Sequence, residues 1–267
     1  MNKLAAFIKK DLILESSYRL AFLLRIFTVF TSILVYYFID RMFGHRITSQ
    51  LQPFGVNYFA YVLLGTAFFS YAGTGLGSIS SRLRLEQMQG TLESVFLSPT
   101  STPVILLSIS AWNIIFATFD LVTYIFLGKI MFGVDYSNVN ILSAGVILLL
   151  TIISFGSIGI ISGSFILLFK RGNIVSWLMN QLQAIAGGVY FPITVLPGWL
   201  QIISGLLPMT YAVKGIQLSV YQGYSLNQIW PQILGLSLFS LALAPAGIII
   251  FQKALNSTRI TGTIGHY

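Results

Sequence analysis

The stretch SRLRLEQMQGTLESVFLSP, residues 81–99, is a polar and charged island in an otherwise apolar chain. It carries Arg82, Arg84, Glu86 and Glu93, and long apolar runs flank it on both sides. Gly90 divides it into two short segments of mostly good helix formers. The stretch therefore predicts two short helices in a loop held at a membrane surface.

The second of these helices is predicted to be amphipathic. Leu92, Val95 and Phe96 lie at i, i+3 and i+4 and so share one helix face, and Pro99 ends the run. Such a helix on a membrane protein either lies in the lipid interface or docks into a groove of a partner.

The composition indicates a membrane protein. Of the 267 residues, 55% are hydrophobic and 8% are charged, and the mean hydropathy is +0.83. Soluble domains have about 25% charged residues, so lipid must solvate much of this chain. There is no cysteine, which excludes a disulfide framework and a thiolate metal site. Lys9, Lys10 and Asp11 interrupt the early apolar residues, so we expect no cleaved signal peptide.

Hydropathy predicts a single all-α membrane domain over residues 1–267, with a basic interfacial helix at 1–19 and six transmembrane helices. The predicted spans are about 18–39, 58–80, 103–127, 141–169, 174–189 and 228–251. Arg19 and Arg25 are expected at the entry of the first span, where long side chains can reach the interface. Gly205 and Pro208 favour two short helices within residues 190–224 over a seventh span.

The basic residues predict the orientation of these spans. Eleven of the 15 lie in segments on one side, and four, Arg41, Arg46, Lys129 and Lys214, lie on the other. The eleven are Lys3, Lys9, Lys10, Arg19, Arg25, Arg82, Arg84, Lys170, Arg171, Lys253 and Arg259. By the positive-inside rule both termini and residues 82–99 are cytoplasmic. The net charge of +8 then faces the inner leaflet, and no nucleic acid is needed to explain it.

Residues 86–99 resemble the cytoplasmic signature of permease subunits in the type 2 family of ABC exporters. Residues 187–200 and 207–212 resemble the pattern that follows the fifth span in the same family, where paired re-entrant helices lie on the outer side. The resemblance implies that residues 82–99 form a coupling helix docked on a separate ATP-binding subunit. It also implies a multi-pass protein of a prokaryotic inner membrane.

The resemblance further implies two copies of the ATP-binding subunit, which would hold ATP and Mg²⁺, and a second copy of this permease, with the translocation path between the copies. No cofactor or metal is expected in this chain. The residues expected to couple to the ATPase are Arg82, Arg84, Glu86, Gly90, Thr91, Leu92, Glu93 and Phe96. Leu92, Val95 and Phe96 would fill a groove of the partner, and the charged residues would meet opposite charges. The alternative for this set is a solvated interfacial loop.

The chain lacks the groups that an enzyme of this kind would need. No phosphate-binding Gly-x-x-x-x-Gly-Lys-Ser/Thr loop is present, so ATP hydrolysis would take place in another chain. Seven acidic residues leave no paired-carboxylate site. His45 and His266 fall in segments predicted on opposite sides of the membrane, so they cannot share a metal.

Asp120 is the one acidic residue inside a predicted span. It either has a structural role, bonded to Asn113 or near enough to the outer surface to be hydrated, or acts on substrate or protons. Asn180, Gln181 and Gln183 either line a path or pack helices together. The candidate path residues are thus Asn113, Asp120, Asn180 and Gln183. A candidate outer gate comprises Tyr190, Phe191, Pro192, Trp199 and Tyr211.

The expected function is the membrane subunit of an ATP-driven exporter of a drug-like or lipidic amphiphile. A polysaccharide or glycolipid exporter is the alternative within that class. An ion-coupled secondary transporter, with Asp120 as its coupling site, is the alternative of another class.

Overall fold

The computed structural model describes residues 19–42, 44, 48–97, 102–169 and 174–260. The predicted interfacial helix, both histidines and the loop around Lys170 lie outside these residues. The described part is all-helical, as predicted, with two additional 3₁₀ turns at Gln52–Phe54 and Ile193–Val195. Its helices are α1 (Arg19–Met42), α2 (Tyr58–Met88), α3 (Leu92–Leu97), α4 (Thr102–Phe132), α5 (Ile141–Phe169), α6 (Ile174–Ala186), α7 (Gly198–Gly205), α8 (Pro208–Tyr221) and α9 (Trp230–Ile260).

Five of the described helices, α1, α2, α4, α5 and α9, are long and apolar enough to cross a membrane. They correspond to five of the six predicted spans, but several run further than hydropathy indicated. Helix α2 has 31 residues, which at 1.5 Å per residue is about 46 Å, whereas the hydrocarbon core is about 30 Å thick. The helix is therefore longer than the hydrocarbon core is thick, and its charged residues Arg82, Arg84 and Glu86 are all in its last turns.

The remaining predicted span, 174–189, contains the shorter helix α6. Its 13 residues cover about 20 Å, after which the chain continues without helical structure to the 3₁₀ turn at Ile193–Val195. Ser176 near its start lies 3.1 Å from the Ser80 hydroxyl, and the Gly188 carbonyl accepts a hydrogen bond of 2.7 Å from Tyr61. Ser80 and Tyr61 are about 28 Å apart along α2. The segment 176–188 thus follows α2 over most of a membrane thickness.

Residues 198–221 form two helices, as the sequence predicted, because Pro208 begins a new helix and cannot continue the previous one. Helix α8 is deeply buried, with Met209 and Ala212 fully enclosed. Its carboxyl end bonds to the start of α2: the Tyr221 hydroxyl donates to the Ala60 carbonyl at 2.6 Å.

Helix α2 lies at the centre of the bundle. In its most apolar window 72% of the residues are buried, against 17% for α1 and for α9. It packs tightly against α5, where a Cβ on Gly159 would lie 2.7 Å from the Leu76 carbonyl oxygen. Glycine at this position therefore permits close helix packing, which is how tight contacts form in lipid.

Candidate functional site

The end of α2 and the turn to α3 are held by a network around one carboxylate. Glu86 forms an ion pair with Arg82, with 3.2 Å between Nε and Oε1, and its other oxygen accepts a hydrogen bond from the Thr91 hydroxyl. Gly90 adopts a left-handed conformation, φ +69°. Its N–H bonds to the Gln87 carbonyl at 3.1 Å, and the Thr91 N–H bonds to the Glu86 carbonyl at 3.0 Å. This is a Schellman helix end, in which glycine avoids the Cβ penalty.

Two residues expected to fill a partner's groove instead lie in this chain's own core. Leu92 is 3% exposed and Phe96 is 5% exposed. The Phe96 ring packs 5.9 Å from the Phe251 ring of α9, in a cluster that also contains Leu83. The expectation for Leu92 and Phe96 was wrong because an amphipathic pattern shows that a face is buried but not against which chain. These side chains anchor α3 to α2 and α9.

The accessible surface of this segment includes the turn itself and, with its largest side chains, the last turns of α2. Arg84 and Gln89 are exposed, and so are two apolar residues, Leu85 at 41% and Met88 at 60%. We did not predict Leu85 and Met88 as site residues, although apolar residues at i and i+3 in a polar stretch are a signal for an interface. Glu93 lies in α3, as expected from the sequence.

A polar groove runs along α2 between α4 and α6. Its volume is about 520 Å³, and it brings together two of the predicted path residues, Asn113 and Asn180. The floor is a stripe of small residues on one face of α2, which includes Ser70, Thr74 and Ser81. Gln183 does not line this groove: it is 1% exposed, and its Oε1 is buried with no hydrogen-bond partner among the described residues.

Asp120 forms an ion pair with Arg25 of α1, a partner that the sequence did not identify. The Arg25 Nε donates to Asp120 Oδ2 at 2.9 Å, and its Nη2 donates to the same oxygen. The guanidinium also lies 4.9 Å from the centre of the Phe116 ring, a cation–π distance. Asp120 itself does not line the polar groove.

This ion pair joins α1 to α4 on the side of the bundle, with Asp120 buried and Arg25 partly exposed. Tyr37 of α1 packs 4.8 Å from Phe132 at the end of α4. Arg25 precedes Tyr37 by twelve residues and Asp120 precedes Phe132 by twelve, so both lie about 18 Å from this aromatic contact. Arg25 is the third residue of the apolar window Leu23–Met42, at the entry of its span as predicted, and it pairs there with Asp120.

The five predicted gate residues do not form one cluster. The Tyr190 ring lies 6.3 Å from Tyr36, whereas the Tyr211 ring lies 6.1 Å from Phe239. Trp199 is 66% exposed on α7, and Phe191 is half-buried. Pro192 and Tyr211 do share one cavity of about 410 Å³, at the end of the bundle opposite the α2–α3 turn.

Comparison with known proteins places these features in a family context. The family described as ABC-2 type transporter matches residues 3–221, which end at the last residue of α8. The inner membrane transport permease YadH of Escherichia coli (strain K12) is 26% identical over 184 residues, which cover 68% of this chain and 70% of that protein. YadH of Shigella flexneri matches with the same 26% identity over 184 residues. The uncharacterized protein YhgE of Bacillus subtilis (strain 168) is 32% identical over 76 residues, 27% of this chain and 10% of that protein.

Proposed function

The chain belongs to the ABC-2 type transporter family, and on that premise we propose that it is the membrane subunit of an ATP-driven exporter coupled to a separate ATP-binding subunit. Proteins of this family are transport permeases, not themselves ATPases, and normally work with an ATP-binding subunit. The α2–α3 turn is the structural feature on which the coupling proposal rests.

The α2–α3 turn has the properties that a force-receiving contact requires. It would lie outside the hydrocarbon, because the last turns of α2 carry Arg82, Arg84 and Glu86, and its conformation is held by Glu86, which bonds to both Arg82 and Thr91. Leu92 and Phe96 fix it to α9 through the core. The ATP-binding subunit would contact Arg84, Leu85 and Met88, with the apolar side chains as anchors and the arginine as the charged rim.

A six-span layout with cytoplasmic termini fits this proposal. Five helices are long enough to cross, and the segment 176–188 follows α2 over about 28 Å, so it would serve as the fifth crossing before α7 and α8. An even number of crossings returns the chain to its starting side. That arrangement leaves most basic residues on the cytoplasmic side, in agreement with the positive-inside rule.

The polar groove supports a path that a second permease copy would complete. Hydroxyl and amide groups are costly against lipid, yet Ser70, Ser81, Asn113 and Asn180 all contribute to an open surface along α2. A second copy facing this groove would enclose it. The apolar residues elsewhere on the helices suit an amphiphilic cargo. A polysaccharide or glycolipid is the second candidate, because the hydroxyl and amide groups of the groove can hydrogen-bond to sugars.

Co-expression of this chain with an ATP-binding subunit from the same organism tests the proposal. We expect the two proteins to co-purify, and ATP hydrolysis to rise when the amphiphilic cargo is added. Met88→Asp and Arg84→Glu should each weaken the association at least tenfold, because they place a charge on the apolar anchor or reverse the rim charge. Lys129→Glu, an exposed change at the opposite end of the bundle, is the matched control. Normal association of both variants would contradict the proposed contact, and a chain that transports without any ATPase would favour the ion-coupled alternative.

A further inference from the structure

The cavity at the end of the bundle opposite the α2–α3 turn is a preformed pocket. Its volume of about 410 Å³ lies in the range of small-molecule sites. Segments far apart in the sequence form its walls, and hydrogen bonds fix them to each other. The Gln222 amide donates to the Phe54 carbonyl at 2.7 Å, and the Tyr61 hydroxyl donates to the Gly188 carbonyl at 2.7 Å.

The walls of this cavity are mainly apolar. Phe54, Tyr61, Pro192 and Ile193 contribute ring and aliphatic surface from three different parts of the chain. A small hydrophilic ion alone would leave this surface uncovered, whereas a ligand with an apolar portion would cover it. The shape and chemistry of the walls therefore favour an amphiphile.

Two polar residues of the cavity, Lys214 and Gln232, favour a ligand that carries an anionic group and a hydrogen-bond donor. Among the described residues that line it, Lys214 is the one charged side chain, and it is exposed. Gln232 of α9 lines the same cavity, and α9 packs closely on α8 at this point, since a Cβ on Gly215 would be 3.4 Å from the Gln232 Cβ. Gln232 is only 8% exposed, and its Oε1 is buried with no hydrogen-bond partner among the described residues. A buried amide oxygen without a partner is costly. A ligand that carries an anionic group for Lys214 and a hydrogen-bond donor for Gln232 would satisfy both groups that line the cavity.

We propose that this cavity binds an anionic phospholipid, with its phosphate at Lys214, a headgroup hydroxyl at Gln232 and its apolar portion over the walls formed by Phe54 and Ile193. The site is separate from the polar groove and from the α2–α3 turn. It requires no ATP-binding subunit and does not depend on the direction of transport. A lipid bound here would contact both α8 and the start of α9, and so would stabilise their packing in the membrane.

The test is lipid binding to the purified permease alone, measured by native mass spectrometry. The probes are phosphatidylglycerol, which is anionic and has headgroup hydroxyls, and phosphatidylcholine, which has no net charge and no headgroup donor. A charge-assisted hydrogen bond corresponds to roughly a tenfold or greater change in affinity. We therefore expect phosphatidylglycerol to bind at least about tenfold more tightly than phosphatidylcholine.

Three variants distinguish specific binding of the lipid in this cavity from non-specific attraction of anionic lipids to a basic protein. Lys214→Gln removes the cation and should reduce the preference for phosphatidylglycerol about tenfold. Gln232→Glu keeps the shape but adds an anion, and should reduce it at least as much. Lys129→Gln removes an exposed charge at the same end of the bundle, outside the cavity, and should have no effect.

Equal binding of the two lipids would overturn the proposal, as would an equal loss in Lys129→Gln and Lys214→Gln. Soluble glycerol 1-phosphate that binds as tightly as phosphatidylglycerol would show that the apolar walls contribute nothing, and would also overturn it. If Gln232→Glu fails to fold, the comparison of the two lysine variants still decides. Because the ATP-binding subunit is not used, a negative result leaves the proposed coupling untouched.

Discussion

Replacing Asp120 with Asn tests whether the ion pair with Arg25 holds α1 to the bundle. Asp120 Oδ2 accepts from both Nε and Nη2 of Arg25, so the substitution removes the charge that assists both hydrogen bonds and leaves one neutral amide oxygen as acceptor. The pair lies about 18 Å from the Tyr37–Phe132 contact, measured along the helices, and its Asp120 side chain is mostly buried. Few other contacts hold this half of α1, since Leu23, Leu24 and Phe27 are all more than half exposed.

The magnitude follows from how deeply each partner is buried. Removing one partner of a fully buried pair costs about 3–5 kcal/mol, because the other charge is left uncompensated. The Arg25 side chain is 36% exposed and keeps its cation–π contact with Phe116, so we expect about 1–3 kcal/mol for Asp120→Asn. The Asp120 side chain is only 11% exposed. Arg25→Gln, which leaves the carboxylate unpaired, should therefore cost more than Asp120→Asn.

The assay is thermal unfolding of the purified protein in lipid nanodiscs, with the two single variants and the double variant Arg25→Gln/Asp120→Asn. For a chain of this size 1 kcal/mol corresponds to roughly 2–4 °C in Tm. The double variant contains no unpaired charge, so it should be more stable than the sum of the single losses predicts. Additive losses would refute the coupling between the two side chains. Transport at the normal rate by a folded Asp120→Asn variant would refute a role of Asp120 in moving substrate.

Three further predictions concern α2 and its contacts. Gly159→Ala should destabilise the bundle by about 1–3 kcal/mol, because its Cβ would lie 2.7 Å from the Leu76 carbonyl oxygen. The control is Gly156→Ala on the same helix, which should leave the stability unchanged because a Cβ there meets nothing within 4 Å. Equal Tm values for the two variants would contradict this account. Gly90→Ala should introduce about 1–2 kcal/mol of backbone strain, because alanine is disfavoured at φ +69°. We also expect the cargo to stimulate ATP hydrolysis less in this variant. Unchanged stimulation would show that the Schellman turn is dispensable for coupling. Phe96→Ala should lower the stability by about 3 kcal/mol and increase protease cleavage near residues 92–97, because Phe96 is buried. Val95 is only half-buried, so Val95→Ala should have a smaller effect. Equal cleavage of the two variants would argue against Phe96 as the anchor of α3.

Hydropathy and turn chemistry predicted most of the fold but not its long-range pairings. Apolar runs identified five helices that can span a membrane, and Pro208 correctly predicted the break between α7 and α8, since both signals are local. The Arg25–Asp120 pair joins residues 95 positions apart, and no local pattern carries that information. Periodicity likewise could not predict that Phe96 packs against this chain's own core, because it indicates which helix face is buried but not which residues that face contacts. Asn113 and Asn180 were predicted individually, and only the packing of α4 and α6 on α2 shows that they share a groove.

The uninterrupted length of α2 limits how this protein can change shape. One helix, Tyr58–Met88, contributes to the α2–α3 turn, the floor of the polar groove and, through Tyr61, the cavity at the opposite end. An α-helix without a break transmits a displacement along its axis, because its hydrogen bonds connect every turn to the next. We therefore expect that a push on the turn moves α2 as a unit and that the groove opens where packing on α2 is weakest. Helices α1 and α9 are the least buried of the spanning helices, each with 17% of its apolar window buried. Of these two, α1 carries the Arg25–Asp120 pair, the polar contact that would have to hold or release it. If Asp120→Asn folds and transports normally, α1 is not the element that moves.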